Sequence, residues 1–165
     1  MPGWAIETAA RAAALLHLSP AAVVQGALDR ACFHEKRRQY DSRCIIERLR
    51  QDFAESIERG RAVLGITSED LYVPGLNFVF GQAELGGACA IVSTHRLVDE
   101  AGALGQPTTM LERRLRTEVV HELGHVLGLE HCTNPYCAMC FSNSLLDTDR
   151  KGDRLCFACI SRLGL

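Results

Sequence analysis

Apolar residues recur at helical spacing in two long stretches of the chain and gather into short runs between them. In the first stretch, Ile45, Ile46, Leu49, Phe53 and Ile57 share one side of a helix that the spacing predicts over residues 43–59. Asp41 or Ser42 is placed to cap its start, and Gly60 to end it. In the second stretch, Leu115, Val119, Leu123 and Leu127 form a row at the same spacing. Pro107 and a Thr109-x-x-Glu112 capping box mark where that helix begins, and Gly128 where it stops. The runs between are too short for helices. Residues 62–66 predict a buried strand, residues 76–80 a second strand ended by Gly81, and residues 89–94 a third, introduced by Gly86-Gly87. Residues 70–75 read as a turn, and residues 99–107 as a glycine-containing loop.

The ends of the chain have other patterns. Residues 1–30 are alanine-rich, which fits helix or irregular chain, with Pro20 a candidate helix start. Residues 31–42 are polar and basic, as in a solvated loop or face. Residues 132–165 are too few to own a core, so a metal or disulfide staple must supply what burial cannot.

Composition narrows the class. With 165 residues, 47% hydrophobic and 23% charged, the chain fits one globular domain. Its net charge of -2 gives no electrostatic reason to expect nucleic acid or an anionic membrane as a partner. No apolar run approaches membrane-spanning length, and no basic region precedes a long apolar core at the N-terminus. With two C-x-x-C pairs beside histidines, the eight cysteines are better read as metal ligands in a reducing cytoplasm than as a disulfide framework. Cys32 and Cys44 have no partner at metal spacing and read as packing thiols, and Cys89 as core. His17 and His95 read as ordinary packed or surface histidines, although His95 follows a strand and could face a cleft.

Candidate chemistry centres on residues 121–131. His121 and His125, four apart on a helix, project from one face and can reach one ion. Glu122 is offset by about 100° and can lean toward that ion as a base without ligating it. A turn at Gly128 lets His131 approach from a loop. Three neutral imidazoles leave a position open for water, the pattern of a catalytic zinc site. Nucleotide-binding glycine loops and a serine-hydrolase elbow are absent.

The HExxHxxGxxH string resembles the metzincin metallopeptidases. Cys132 directly after the third histidine, Cys137-Ala138-Met139, and Cys156-x-x-Cys159 narrow this to the archaemetzincin family. Leu64 to Thr67, Asn77 to Ala83 and Phe141 to Ser144 are also similar to that family, and the likeness covers about residues 34–162. It implies an α/β (α+β) fold: a twisted mixed sheet, an active-site helix and a small zinc-stapled C-terminal subdomain. The chain then divides into a divergent segment 1–30, where the family opens with a strand, a subdomain 31–131 carrying the zinc helix, and a subdomain 132–165, together one catalytic domain. Residues 89–94 become the sheet-edge strand above the cleft, with an interior strand the alternative. Met139 becomes the apolar floor beneath the histidines, and residues 141–144 the pocket wall.

For the tail, spacing and resemblance differ. Spacing favours Cys137, Cys140, Cys156 and Cys159. The family pattern pairs Cys132 and Cys137 with Cys156 and Cys159 and leaves Cys140 outside. We expect the family set, a closed structural site. The expected cofactors are thus two zinc ions, one catalytic and one structural. The expected activity is hydrolysis of a peptide or protein substrate with Glu122 as general base. The alternative is a zinc-stabilised peptide-binding module with little turnover. Oligomeric state is left open.

Overall fold

The computed structural model describes residues 2–98 and 109–165. The chain forms helix α1 (Gly3–Ala14), strands β1 (Phe33–His34) and β2 (Gln39–Asp41), helices α2 (Ser42–Asp52) and α3 (Ala54–Glu58), and strands β3 (Val63–Thr67), β4 (Leu71–Tyr72), β5 (Gly81–Ala83) and β6 (Cys89–Ser93). Helices α4 (Thr109–Val126), α5 (Leu145–Arg150) and α6 (Phe157–Leu163) complete it. This is the mixed α/β architecture expected.

The main sheet has the order β3-β6-β5. β6 runs parallel to β3 and antiparallel to β5. Residues 89–94 were expected at the sheet edge above the cleft. Instead β6 is the central strand, buried along its whole length, and β5 is the edge. The pattern misleads because β5 has three residues, one of them Gly81, and carries no apolar run. A second small sheet has the order β1-β2-β4. Residues 76–80 do not form the expected strand. They are an irregular segment tied down by a bridge, Leu71 to Val79, and by the Phe80 carbonyl accepting from the Ser93 N–H of β6.

Side chains of β6 serve two cores, as alternation along a strand requires. Val92 joins Leu115, Val119 and Leu123 of α4 on one face. Cys89 and Ile91 join Ile45 and Ile46 of α2 on the other. The α2 helix is shorter than predicted. Phe53, at φ -115° and ψ 21°, interrupts it before the single turn of α3. Asp41 caps it, its carboxylate accepting from the Arg43 N–H. Cys32 and Cys44, read from sequence as separate packing thiols, form a disulfide. The turn at Arg30–Cys32 packs on α2 and brings their Cα atoms to 5.4 Å, a proximity that spacing does not reveal.

The alanine-rich N-terminus is helix α1, lying on α4. Ala5 and Ala12 are fully buried with Leu115 and Val119, because small side chains let the two helices approach closely. Pro20 starts no helix, and His17 is an exposed residue in the left-handed region at φ 57°. On α4, Leu115, Val119 and Leu123 are buried as expected. Leu127 is half-exposed because the helix ends at Val126 and Gly128 turns at φ 91°. Pro107 and the loop expected at 99–107 lie outside the described residues. Among the described residues, no helix is long and apolar enough to cross a membrane.

Close packing of α1 on α4 is directly testable. Ala12→Leu should overpack the contact and lower stability by about 1–3 kcal/mol. Ala14→Leu, on the exposed side of α1, should leave stability nearly unchanged. Thermal denaturation of the two variants checks this, and equal melting temperatures would contradict the packing.

Candidate active site and cysteine cluster

Helix α4 forms the back of an open cleft of about 780 Å³. Its buried apolar row holds the opposite face, with Glu118, His121, Glu122 and His125, in the cleft. His131 reaches the same place from the loop beyond the Gly128 turn. Ligand atoms of His121, His125 and His131 all lie within 4.8 Å of one another. Nε2 of His121 and Nε2 of His125 are 3.2 Å apart.

Both helical imidazoles are fixed from behind. His121 Nδ1–H donates to the Ala138 carbonyl at 2.8 Å, and His125 Nδ1–H to the Leu129 carbonyl at 2.6 Å. A carbonyl can only accept, so each Nδ1 carries the proton and each Nε2 keeps its lone pair for the cleft. Burial pushes the pKa of His121 well below the usual imidazole value and that of His125 and His131 below it, and the charge of Lys151 acts in the same direction. The three rings are thereby kept neutral, the state that ligates a metal.

Glu122 is buried beside them. Burial and the neighbouring Glu118 raise its carboxyl well above the ordinary carboxylate range, with Lys151 opposing. Gly81 leaves room for this side chain. A Cβ there would stand 2.7 Å from Glu122 Oε1 and from the Ile91 carbonyl. Gly124 plays the same part beneath, where a Cβ would overlap Met139 Sδ. The fully buried Met139 therefore lies directly against α4 between the two helical histidines. Phe141 packs edge-on against His131 at 5.0 Å, and Ser142 and Asn143 continue the cleft wall.

A second group gathers Cys132, Cys137, Cys156 and Cys159, their sulfurs all within 4.8 Å of one another. Cys132 and Cys156 sulfurs are 3.8 Å apart, and Cys137 and Cys159 sulfurs 3.7 Å. Cys140 stays outside, its thiol against the Phe141 carbonyl. N–H groups of Cys156 and Asn134 point at the sulfurs of Cys137 and Cys132. Hydrogen bonding from the Cys159 N–H helps lower the Cys156 thiol to about 7, whereas burial raises Cys137 and Cys159. Four thiols at this separation, with N–H donors aimed at sulfur, fit a closed zinc site, and three converging imidazoles, two of them with free Nε2 atoms, fit an open one.

Lys151 escaped the sequence reading. It is buried, with Nζ 3.2 Å from Glu118 Oε1, 3.1 Å from the Cys140 carbonyl and 3.4 Å from His121 Nδ1. A lone lysine after a short helix carries no signal of burial, because its partner Glu118 lies 33 residues earlier in the chain. His95 does not line the cleft. Its Nδ1 lies 3.2 Å from the Ser68 carbonyl on the surface.

Comparison with known proteins adds to this geometry. Residues 6–164 match the model of peptidase family M54. An archaemetzincin of Archaeoglobus fulgidus is 44% identical over 132 residues, covering 80% of this chain and 73% of that protein. One from Methanopyrus kandleri is 47% identical over 131 residues, covering 79% and 69%. Among solved structures, the Archaeoglobus fulgidus archaemetzincin complexed with malonate superposes with a TM-score of 0.83 at 36% identity, over 98% of this chain and 94% of that one. A zinc-dependent peptidase from Methanocorpusculum labreanum gives 0.82 at 30% identity, over 98% and 93%. With its extended histidine string on α4 and its cysteine-bound tail beneath, the chain belongs to peptidase family M54.

Proposed function

We propose that the protein is a zinc-dependent metallopeptidase of the metzincin type, with His121, His125 and His131 as ligands of the catalytic zinc and Glu122 as general base. One observation carries the reading: three imidazoles converge in an open cleft beside a buried carboxyl group. The zinc-dependent peptidase among the structural relatives supports the activity. The Gly128 turn and the Met139 floor support the metzincin type.

Zinc bound there supplies Lewis acidity, which polarises a carbonyl and makes a water acidic. The chain's residues do the remaining work. Carbonyls of Ala138 and Leu129 hold two of the imidazoles in orientation. Glu122, with its raised basicity, takes a proton from the attacking water and delivers it to the leaving amine. The free edge of β5 offers N–H and C=O groups to an extended peptide or protein substrate. Cys132, Cys137, Cys156 and Cys159 take a second, structural zinc that fastens the tail beneath α4. We place the protein in the cytoplasm because these four thiols are free for a metal, Cys32–Cys44 being the one disulfide among the described residues.

Glu122→Ala should lose about 10²-fold or more in turnover of a diverse peptide library while keeping its zinc. Equal null activity in both proteins, with zinc bound, would favour a binding module. Metal analysis of protein purified without added zinc should find two equivalents per chain. Cys132→Ser should remove one of them and Cys140→Ser none, and the reverse pattern would overturn the ligand set. The ligand imidazoles sit below the usual 6.5, so they stay neutral as pH falls to that value and protonate only beneath it. Zinc content should therefore hold down to about pH 6.5 and fall in more acid solution. Zinc release that sets in above about pH 7 would contradict this assignment.

A further inference from the structure

The side of the cleft facing α4 includes Leu76, Asn77, Phe78, Val79 and Phe80. The backbone of this segment is joined to the sheets near one end, by the bridge at Val79 and by Ser93 N–H donating to the Phe80 carbonyl at 2.8 Å. It is held from behind by side chains that do not themselves line the cleft. Arg37, in the turn between β1 and β2, donates to the carbonyls of Leu76 and Asn77, both at 2.9 Å. Its Nε donates to Gln39 Oε1 at 2.8 Å, and its guanidinium lies 4.4 Å from the Tyr72 ring centroid. The Gln39 amide donates to the Asn77 carbonyl and to Asp70 Oδ2, both at 3.0 Å. Asp70 accepts two bonds of 2.7 Å from Arg96. Arg96 in turn covers the Phe78 ring at 4.4 Å, and Phe78 meets Phe80 edge-on at 5.2 Å.

Gln39 and Asp70 are buried, so a partly made network would cost more than an apolar substitute. Its bonds end on two wall carbonyls and its last guanidinium on a wall ring. The segment is thereby held in place before any ligand arrives, which spares the ligand the entropy of ordering it.

We infer that residues 76–80 are the surface that recognises an apolar side chain of the ligand, and that Arg37, Gln39, Asp70 and Arg96 are positioning residues that set its affinity from outside the cleft. The peptide character of that ligand rests on the peptidase reading.

The test uses the zinc-loaded full chain and two hydroxamates. Acetohydroxamate reaches only the metal, and a leucine-containing dipeptidyl hydroxamate also reaches the wall. Arg37→Met keeps an apolar stem near Tyr72 and removes the hydrogen bonds. Calorimetry should show the dipeptidyl ligand weakened about tenfold or more, which is about 1.4 kcal/mol, and acetohydroxamate within about twofold, at unchanged zinc content. Should Arg37→Met fail to fold, Arg96→Lys, which keeps the charge and loses the two-pronged bond to Asp70, should show the same selective loss. Equal weakening of both ligands, or weakening of neither, would overturn the inference. Turnover of the wild type against Glu122→Ala decides the peptidase reading separately. Selective loss without Glu122-dependent turnover would sink only that reading, and Glu122-dependent turnover without selective loss only this one.

Discussion

Two short links tie the two candidate metal groups together, the peptide bond from His131 to Cys132 and the carbonyl oxygen of Ala138. Ala138 O accepts the Nδ1 proton of His121, and Ala138 sits between Cys137 of the cysteine group and Met139 of the floor. The orientation of a ring on α4 thus depends on how the tail folds around its cysteines. The tail cannot fold by burial alone, because its core cluster is little more than Leu129, Met139 and the cysteines themselves. A metal at the thiols would therefore act on the histidines through these two links, without touching them.

Charged contacts reinforce the same junction from outside. Arg114 makes a two-pronged pair with Asp149, and Arg116 pairs with Asp153. Lys151 is buried against Glu118 between them. A buried pair of this kind seldom adds much net stability, since desolvation offsets most of its attraction. Its effect here is geometric. It admits one placement of the tail on α4, in which the Cys140 carbonyl meets Lys151 and the following residues form the cleft wall.

What could be read from the sequence was local. His121 and His125 follow from helical geometry, Gly128 from backbone freedom, and the apolar row on α4 from its period. The helix α2 and the strand β3 were legible for the same reason, within a residue or two of their ends except where Phe53 breaks the helix. What could not be read depends on partners distant in the chain. The central place of β6 is decided by β5, whose three residues carry no strand pattern. The Cys32–Cys44 bridge is decided by how a short turn lies on α2. Burial of Lys151 is decided by Glu118, 33 residues earlier, and no local rule anticipates it. For the cysteine group, spacing pointed to Cys140 and family likeness to Cys132. The structure assembles the latter because Cys132 N–H donates to the Met139 carbonyl and folds that loop back on itself.

An open sheet margin invites unwanted company, since any extended chain in solution can add to it. Here the margin facing the cleft is only Gly81–Ala83, with α4 close against it. Such a stub is too short to nucleate stacking between molecules, yet long enough to register a single guest strand. If a substrate strand docks there as proposed, its rail would stay permanently available at low risk of self-association through it.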